Sequence, residues 1–360
     1  MKICFLGDAK SVHIVRWCEF FRDKGDEVSL LSFRDNKIDG VNVIYLGDGI
    51  NAKDTGNNYD YLKKIFKIRK IINNINPDIV NAHYLTSYGF LATLVTKNIP
   101  LVVSTWGTDI LVTPNKNVLY KNLTKYVLKK VQLITSDSEF MSEEIFKYNI
   151  NAQKVITVPM GIDNSMFNTE NTKKDDKTFK ILSFRTLVKN SNIDNIINAY
   201  DKIIKEYPNV KLTIANDGSE RENLINLIKE KNLEEDIDFL GSVSRDKVVK
   251  LLKENHVYIS VPTSDSTSVT LLEAMACGIY PIVSDIPANK EWIIHNHNGL
   301  IIDTSEEAIY NAILHVITNQ NIIEEACKIN TDIIRERAIW EDNMSIVRNA
   351  YMNLVLNNSK

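Results

Sequence analysis

The sequence alternates short, continuous apolar runs with longer amphipathic stretches, and a polar segment interrupts this alternation once. Unbroken apolar runs of about four to eight residues are typical of strands in a parallel sheet whose two faces are both covered by helices. Amphipathic stretches such as 11–25, which ends at Gly25, predict the covering helices. Strands are predicted at 2–6, 27–33, 41–47, 78–83, 101–106, 133–138, 155–160, 179–185, 210–216, 236–241, 257–262, 280–285 and 299–303.

The interruption lies at 164–178, where lysines and aspartates cluster in a segment typical of an interdomain connection. A chain of 360 residues is also longer than one ordinary core supports. We therefore predict an α/β fold of two Rossmann-like domains, 1–165 and 166–340, with a C-terminal helix at 341–360 that crosses back to the first domain. Ligands of such sheets bind beyond the carboxyl ends of the strands, so loops of both domains are expected to line a cleft.

Composition narrows the class of protein. Hydrophobic residues make up 44% of the chain and charged residues 25%, as in soluble globular proteins. No apolar run approaches the ~20 residues of a membrane span, and the N-terminal apolar stretch is too short for a signal peptide, so a cytoplasmic location is expected. The four cysteines form no CxxC pair, and no two histidines have a convincing metal-ligand spacing. We expect neither disulfides nor a bound metal.

Positive charge is concentrated in the first half of the chain. The net charge is -3, yet residues 51–130 contain 12 basic and 4 acidic side chains. Two stretches, 59–74 and 117–130, mix lysines with apolar residues, as helices that lie on an anionic membrane do. They are interpreted either as a weak membrane contact at the inner face of the membrane or as ordinary solvated helix faces. No recognition motif supports nucleic acid as the anionic partner.

The stretch SDSTSVTLLEAMACG, residues 264–278, passes from a polar loop into a helix and carries Asp265 and Glu273 with seven residues between them. A helix start offers unpaired backbone N–H groups and the positive end of the dipole, which together bind phosphate. Carboxylates accept hydrogen bonds from sugar hydroxyls. An acid on each side of a phosphate-binding helix start is therefore compatible with a nucleotide-sugar, although acids near helix starts also merely complement the dipole.

This stretch, with the following YPIVSD and NHNGLIID, resembles the signature of the family 4 retaining glycosyltransferases, which have the GT-B fold of two Rossmann-like domains facing across a cleft. VPMGIDNSMF (158–167) and SDSEFMSEEI (136–145) resemble further family elements. The resemblance implies transfer of a sugar from a nucleotide-sugar, with retained anomeric configuration and without a metal or another cofactor. UDP is the nucleotide that it favours.

The resemblance also assigns roles to residues of the second domain. It implies that Glu273 holds the donor ribose, that Asp265 holds the transferred sugar and that Arg185 neutralises the diphosphate. Lys189 is the nearest match to a second diphosphate-binding residue, but its loop is one residue longer than the family's. Further donor-binding candidates are Ser268, Val269, Thr270, Asp217 and Gly218.

Three departures from the family pattern are relevant to the site. Asp265 replaces the usual glutamate, which is longer by one methylene. The N-terminal glycine-rich loop is missing, and His13 with Arg16 could replace it, or His13 could pack locally. Trp106 takes the place of a histidine and is a candidate stacking platform for a sugar ring, with Gly107 and Asp109 retained. The last candidate in the first domain is His83, which ends the fourth strand and is interpreted either as an acceptor-site residue or as structural.

The sequence thus predicts a hexosyltransferase for cell-envelope polysaccharide or glycoconjugate synthesis, with a glycan or lipid-linked acceptor. Two alternatives stay open at this point. One is a nucleotide-sugar epimerase of the same fold, and the other is a catalytically inactive homologue that only binds a nucleotide-sugar.

Overall fold

The structure is a computed structural model that describes residues 1–48, 59–172, 174 and 177–358. The chain divides into two compact units. The first unit comprises Met1–Val158 and the segment from Met344 onward, and the second comprises Pro159–Asn343. No helix among the described residues is both long and apolar enough to cross a membrane.

The first unit is built on a parallel sheet of seven strands in the order β3-β2-β1-β4-β5-β6-β7. Strands β1, β4, β5 and β6 are buried along most of their length, which explains why their sequences are largely apolar. The strands are β1 (Lys2–Leu6), β2 (Glu27–Ser32), β3 (Asn42–Tyr45), β4 (Ile79–His83), β5 (Leu101–Ser104), β6 (Leu133–Ser136) and β7 (Val155–Thr157).

Helices cover both faces of this sheet. Gly25 follows the first helix with a φ of 79°, the left-handed backbone that ends helices. Asn117 and Ser138 cap the starts of two others by accepting backbone N–H bonds. The helices are α1 (Val12–Asp23), α2 (Ile65–Ile75), α3 (Phe90–Val95), α4 (Thr108–Leu111), α5 (Val118–Lys130) and α6 (Glu139–Phe146), with 3₁₀ turns at Tyr59–Lys64, Thr113–Asn115 and Ala152–Lys154 and a π-helical turn at Leu85–Gly89.

The second unit contains a parallel sheet of six strands in the order β10-β9-β8-β11-β12-β13. Its strands are β8 (Phe179–Phe184), β9 (Val210–Ala215), β10 (Ile237–Gly241), β11 (Val257–Ser260), β12 (Tyr280–Ser284) and β13 (Leu300–Ile302). All thirteen predicted strands are present, and the predicted α/β class is confirmed.

The helices of the second unit differ in how they are buried: α7 buries one apolar face, whereas α10 is buried at six consecutive residues, Leu271–Ala276. In α7 the buried Ile193, Ile196, Tyr200 and Ile203 recur every three or four residues, the period that places them on one side. The helices are α7 (Ile193–Glu206), α8 (Arg221–Glu230), α9 (Arg245–Glu254), α10 (Val269–Ala276), α11 (Pro287–Lys290), α12 (Glu306–Thr318) and α13 (Asn321–Arg337). A 3₁₀ turn lies at Lys189–Ser191.

The last helix, α14 (Trp340–Asn358), joins the first unit from Met344 onward. Its Tyr351 is fully buried, stacks on Phe21 of α1 with ring centroids 5.3 Å apart and is hydrogen-bonded to Asn81 of β4. Arg348 forms a two-pronged ion pair with the buried Asp26, at 2.8 and 3.1 Å. These contacts make the end of the chain part of the core of the first unit.

The boundary between the units precedes the polar segment 164–178. The described residues of that segment belong to the second unit, and Ile162 and Phe167 lie in its core. Gly161 explains this early boundary, since a side chain at its φ of 66° would meet the backbone of Ala338 and Trp340 at 2.9 Å. Residues 173, 175 and 176 of the predicted connection lie outside the described residues.

Candidate functional site

Each sheet reverses its strand order at one point, and the candidate residues lie beside these points. In the first sheet the reversal falls between β1 and β4, and in the second it falls between β8 and β11. The loops that leave two such strands diverge, and they leave a crevice at the carboxyl ends where ligands bind. His83 ends β4, Arg185 directly follows β8, and Asp265 lies in the loop after β11.

Arg185 is held by two partners from the loop after β11. Its Nη1 donates to Asp265 Oδ2 at 2.7 Å and to Ser268 Oγ at 2.9 Å. Asp265 also accepts the backbone N–H of Ser266 through Oδ1, at 2.9 Å. The arginine that the sequence predicts for a diphosphate is therefore already engaged with the acid predicted for the sugar. The two residues form one unit at the start of α10.

Ser268 is the N-cap of α10, and its Oγ accepts the N–H of Leu271 at 3.4 Å. The hydroxyl of Thr270 lies 3.0 Å from Ser268 Oγ and 2.7 Å from the hydroxyl of Tyr258. Burial raises the pKa of Tyr258, so its phenol stays protonated. The first backbone N–H groups of a helix have no intrahelical acceptor. This chain of hydroxyls fixes the helix start whose backbone, from Ser268 to Thr270, was predicted to receive a diphosphate.

Glu273 lies one turn further into α10 and is only 4% exposed. Arg245 Nη2, from the first residue of α9, approaches its Oε1 at 3.7 Å. The guanidinium of Arg245 lies over the ring of the buried Phe167, 4.9 Å from its centroid. Arg245 was not predicted as a site residue from the sequence. One available signal was an arginine at a helix start, where the dipole disfavours positive charge.

Lys189 is placed apart from this group. It opens the 3₁₀ turn after β8, is 79% exposed, and its Nζ pairs with Asp194 Oδ2 at 3.0 Å. The hydrogen bond to Asp194 raises the pKa of Lys189. The loop itself is nevertheless tied to the site, because Asn190 Nδ2 donates to the carbonyl of Ser264 at 3.0 Å and Asn192 Nδ2 donates to that of Val261 at 2.7 Å.

Asp217 and Gly218 form the turn after β9 that packs against the loop after β8. The carbonyl of Asp217 accepts the N–H of Leu187 at 3.0 Å. A side chain on Gly218 would meet the backbone carbonyl oxygen of Leu187 at 2.3 Å, so only glycine fits this approach. This turn therefore supports the loop that carries Arg185.

The candidates of the first unit gather in an aromatic cluster. The ring of Trp106 stacks on His13 at 4.9 Å and on His83 at 5.5 Å, with interplanar angles of 20° and 22°. Trp17 meets His83 edge-on at 4.8 Å. The imidazoles of His13 and His83 therefore already occupy part of the indole surface that was predicted as a platform for a sugar ring. Arg16 lies half-buried in the first turn of α1, between His13 and Trp17 in sequence.

His83 is the most confined of these residues. It is 2% exposed, and neither ring nitrogen has a hydrogen-bond partner in the part of the chain that the structure describes. Burial, with a smaller contribution from His13, lowers the pKa of His83 to about 3. The next residue, Tyr84, has a φ of 75°, which is unusual for a bulky side chain. Backbone strain and an unpaired polar ring occur together at a functional site more often than in a plain core.

Asp109 is fully buried and accepts two backbone N–H groups. Its Oδ2 accepts from Leu85, after β4, and its Oδ1 accepts from Trp106, after β5, both at 2.9 Å. Burial raises the pKa of Asp109 to about 6, against the lowering effect of these hydrogen bonds. The carboxylate therefore joins the two loops that carry His83 and Trp106, and its geometry is that of a positioning residue.

These two Rossmann-like units, with their polar loops at the carboxyl ends of parallel strands, define the class of GT-B glycosyltransferase folds. The sequence family described as Glycosyl transferase 4-like matches residues 2–138, and the family described as Glycosyl transferases group 1 matches residues 165–332. This chain belongs to the group 1 glycosyl transferases.

Several proteins are similar to this chain. An N-acetyl-alpha-D-glucosaminyl L-malate synthase of Bacillus anthracis is 26% identical over 67% of this chain and 65% of its own length. The gpi3 subunit of a phosphatidylinositol N-acetylglucosaminyltransferase of Schizosaccharomyces pombe is 22% identical over 56% of this chain and 44% of its own length. The chain thus spans less than two thirds of the length of either relative.

A solved structure supports the fold over nearly the whole chain. The Anabaena protein HepE, in complex with UDP and glucose, is similar with a TM-score of 0.77 and 16% sequence identity. The similarity covers 97% of this chain and 99% of HepE. At this level of identity the likeness concerns the fold, and the predicted GT-B architecture is confirmed.

Proposed function

We propose that this protein is a retaining, metal-independent glycosyltransferase that moves a hexose from a nucleotide-sugar to a glycan or a lipid-linked acceptor. The observation that carries the proposal is the group formed by Arg185, Asp265, Ser268 and Glu273 at the switch point of the second sheet. It combines a phosphate-binding cation and helix start with two acids suited to sugar hydroxyls.

In this proposal the site works mainly through electrostatics. As the bond between the sugar and the diphosphate breaks, negative charge grows on the leaving phosphate oxygen. Arg185 and the N–H groups at the start of α10 stabilise that charge. Glu273 anchors the ribose and Asp265 the transferred sugar, so the reacting carbon is held in place before the bond breaks.

Retention follows from attack on the face that the diphosphate leaves. The acceptor hydroxyl forms its bond to the anomeric carbon, the bond from that carbon to the phosphate oxygen breaks, and the hydroxyl proton passes to the leaving phosphate. Asp265 is the carboxylate beside this centre, and its ion pair with Arg185 makes it a poor nucleophile. The proton and the electron pair are both accounted for without a side-chain intermediate.

UDP is the proposed nucleotide, and cell-envelope polysaccharide or glycoconjugate synthesis the proposed setting. HepE holds UDP and glucose, and the two curated relatives are named for N-acetylglucosaminyl transfer. Asp265 is one methylene shorter than glutamate, so the choice of transferred sugar is proposed to depend on this residue. A panel of nucleotide-sugars in a thermal-shift assay identifies the donor as the compound that raises the melting temperature most.

Replacing Arg185 or Glu273 by alanine tests the proposal directly. We expect each variant to lose at least about 100-fold in kcat/KM for transfer, because Arg185 stabilises the charge on the leaving phosphate and Glu273 holds the ribose that positions the donor. Arg335→Ala is the matched control, since Arg335 and Asp332 form an exposed pair with the same 2.7 Å separation as Arg185 and Asp265. Near-normal transfer by either folded site variant would exclude the assignment, and turnover of donor without any acceptor would indicate the epimerase instead.

The second part of the proposal concerns a membrane surface. We define the basic apolar surface as the exposed apolar side chains of 59–74 and 117–130 with the lysines among them. Phe66 is 82% exposed, and Leu119 is 65% exposed. Helix α3 packs against both α2 and α5, so the surface belongs to one face of the first unit. Ile68 and Ile72 lie in the core, so fewer apolar residues reach this surface than the sequence pattern suggested.

Liposome flotation tests this surface. We expect the protein to float with vesicles that contain anionic lipid at low salt and to detach as salt rises, because lysines near such vesicles contribute about 1 kcal/mol each. Phe66→Glu with Leu119→Glu should abolish binding. Leu356→Glu, which changes a 63% exposed leucine outside the surface, is the control. Equal flotation of both variants would contradict the proposal and leave the solvated-face interpretation.

A further inference from the structure

We propose that Arg245 is a positioning residue that holds the Glu273 carboxylate ready for the hydroxyls of the donor ribose. The inference rests on the proposed function, in which Glu273 binds that ribose. It adds a residue from α9 and a residue from the motif 158–167 to the donor side.

The side chains of Arg245 and Glu273 differ in their access to solvent. Glu273 is 5% exposed at its side chain and Arg245 is 46% exposed, so the pair joins a buried carboxylate to a cation that reaches solvent. Their closest atoms, Nη2 and Oε1, lie 3.7 Å apart. This distance is short enough for electrostatic attraction but long for a hydrogen bond. The cation is therefore close enough to orient the carboxylate through electrostatic attraction.

The location of Arg245 is unfavourable for its own helix. It is the first residue of α9, directly after the cap Ser244, whose Oγ accepts the N–H of Lys247 at 3.4 Å. The positive end of the helix dipole disfavours a cation there and favours the neighbouring Asp246. Attraction to the carboxylate of Glu273 offsets this cost, which supports a role for Arg245 outside α9.

Phe167 provides an aromatic face for the guanidinium. Its ring is fully buried, and the guanidinium carbon of Arg245 lies over it, 4.9 Å from the ring centroid. A cation over an aromatic face is attracted to the negative face of the ring, so this contact limits the positions that the Arg245 side chain can take. The phenylalanine that ends the motif VPMGIDNSMF thereby supports Glu273 through Arg245.

The test measures how strongly the protein distinguishes UDP from 2′-deoxy-UDP by isothermal titration calorimetry, without any transfer. A hydroxyl that donates to a carboxylate contributes enough for wild type to prefer UDP by about tenfold or more. In Arg245→Gln we expect this preference to fall to about twofold or less, since the carboxylate is no longer held. Arg245→Lys should recover part of the preference, and Lys247→Gln, which removes a cation from the same helical turn, should keep all of it.

The outcomes separate the inference from the proposed function. If wild type binds neither compound, the nucleotide-sugar function fails. If wild type binds both equally, the role of Glu273 fails and the inference with it. If Arg245→Gln keeps the wild-type preference, the inference alone is overturned. Should Arg245→Gln not fold, Phe167→Leu retains the arginine and removes its aromatic support, and an unchanged preference in that variant also overturns the inference.

Discussion

At the scale of single residues, His83 combines burial with two ring nitrogens that have no hydrogen-bond partner among the described residues. An unpaired buried polar group costs about 1–3 kcal/mol, so this position is stabilised elsewhere in the unit. The pKa of about 3 lies below the usual 6.5, which means that the unfolded chain binds a proton between these values and the folded chain does not. Titration of His83 therefore does not lower the free energy of unfolding above pH 6.5. Below pH 6.5 the free energy of unfolding falls with the pH, because the unfolded chain gains a proton that the folded chain does not bind.

His83→Leu is predicted to stabilise the protein while it lowers transfer. Leucine has a similar volume, needs no hydrogen bond and does not titrate, so the gain in unfolding free energy should be about 2 kcal/mol larger at pH 5 than at pH 7.5. Urea titrations at the two pH values measure this difference. A loss of transfer in the stabilised variant would support an acceptor role, whereas unchanged transfer would leave His83 purely structural.

Asp109 is predicted to show the opposite dependence on pH. Its pKa of about 6 in the folded protein lies above the usual 3.8, so the folded state holds its proton longer than the unfolded state. The stability of wild type relative to Asp109→Asn should then fall as the pH rises from about 4 to about 6, by on the order of 2 kcal/mol. Denaturant titrations of both proteins across this range check the slope, and a rising difference would contradict it.

At the scale of elements, Ser268 combines a helix cap with a contact to Arg185. Ser268→Ala is predicted to cost about 1 kcal/mol in stability and to weaken UDP binding. Ser305 caps α12 in the same way, with its Oγ 3.2 Å from the N–H of Ala308. Ser305→Ala should therefore cost similar stability without any change in UDP binding. Equal UDP affinities of Ser268→Ala and Ser305→Ala would show that Ser268 acts only as a helix cap.

The periodicity of the sequence predicted every strand because the sheets are parallel and most strands are buried apolar runs, while the more exposed β3 and β10 still contain apolar residues. The strand ends were predicted too late in several cases. Strand β7 ends at Thr157, although the apolar run continues through the buried Val158 and Met160. Residues beyond the end of a strand can therefore still be buried. An apolar pattern indicates which residues are buried, and it does not indicate which residues pair in the sheet.

The proximity of candidate residues within one motif was predictable, and contacts between distant segments were not. Asp265, Ser268 and Glu273 lie in a single loop and helix, and the structure places them together at the start of α10. The bond from Arg185 to Asp265 spans 80 positions, and the approach of Arg245 to Glu273 depends on how α9 packs. Such contacts are set by the fold, and a single sequence has no periodicity that reveals them.

At the scale of the whole molecule, the first unit depends on the end of the chain. Arg348→Met is predicted to destabilise the protein by about 2–3 kcal/mol, since it removes the two-pronged partner of the buried Asp26. Hydrogen exchange should lose protection in β1 and β4 but not in β8 and β11. The double variant with Asp26→Leu should recover part of the loss, and uniform loss of protection in both sheets would contradict this local effect.

The two units differ in the number of chain segments that build them, and this difference determines which residues are exchanged together by recombination. The second unit is one uninterrupted segment, Pro159–Asn343, whereas the first is assembled from two. All proposed donor residues, including Arg185, Arg245 and Glu273, lie in that uninterrupted segment. Two crossovers, one at each end of this segment, would therefore exchange the complete donor side as one block and leave both pieces of the first unit with their own parent. Chimeras joined at 158/159 and 343/344 are expected to combine the donor choice of one parent with the acceptor choice of the other.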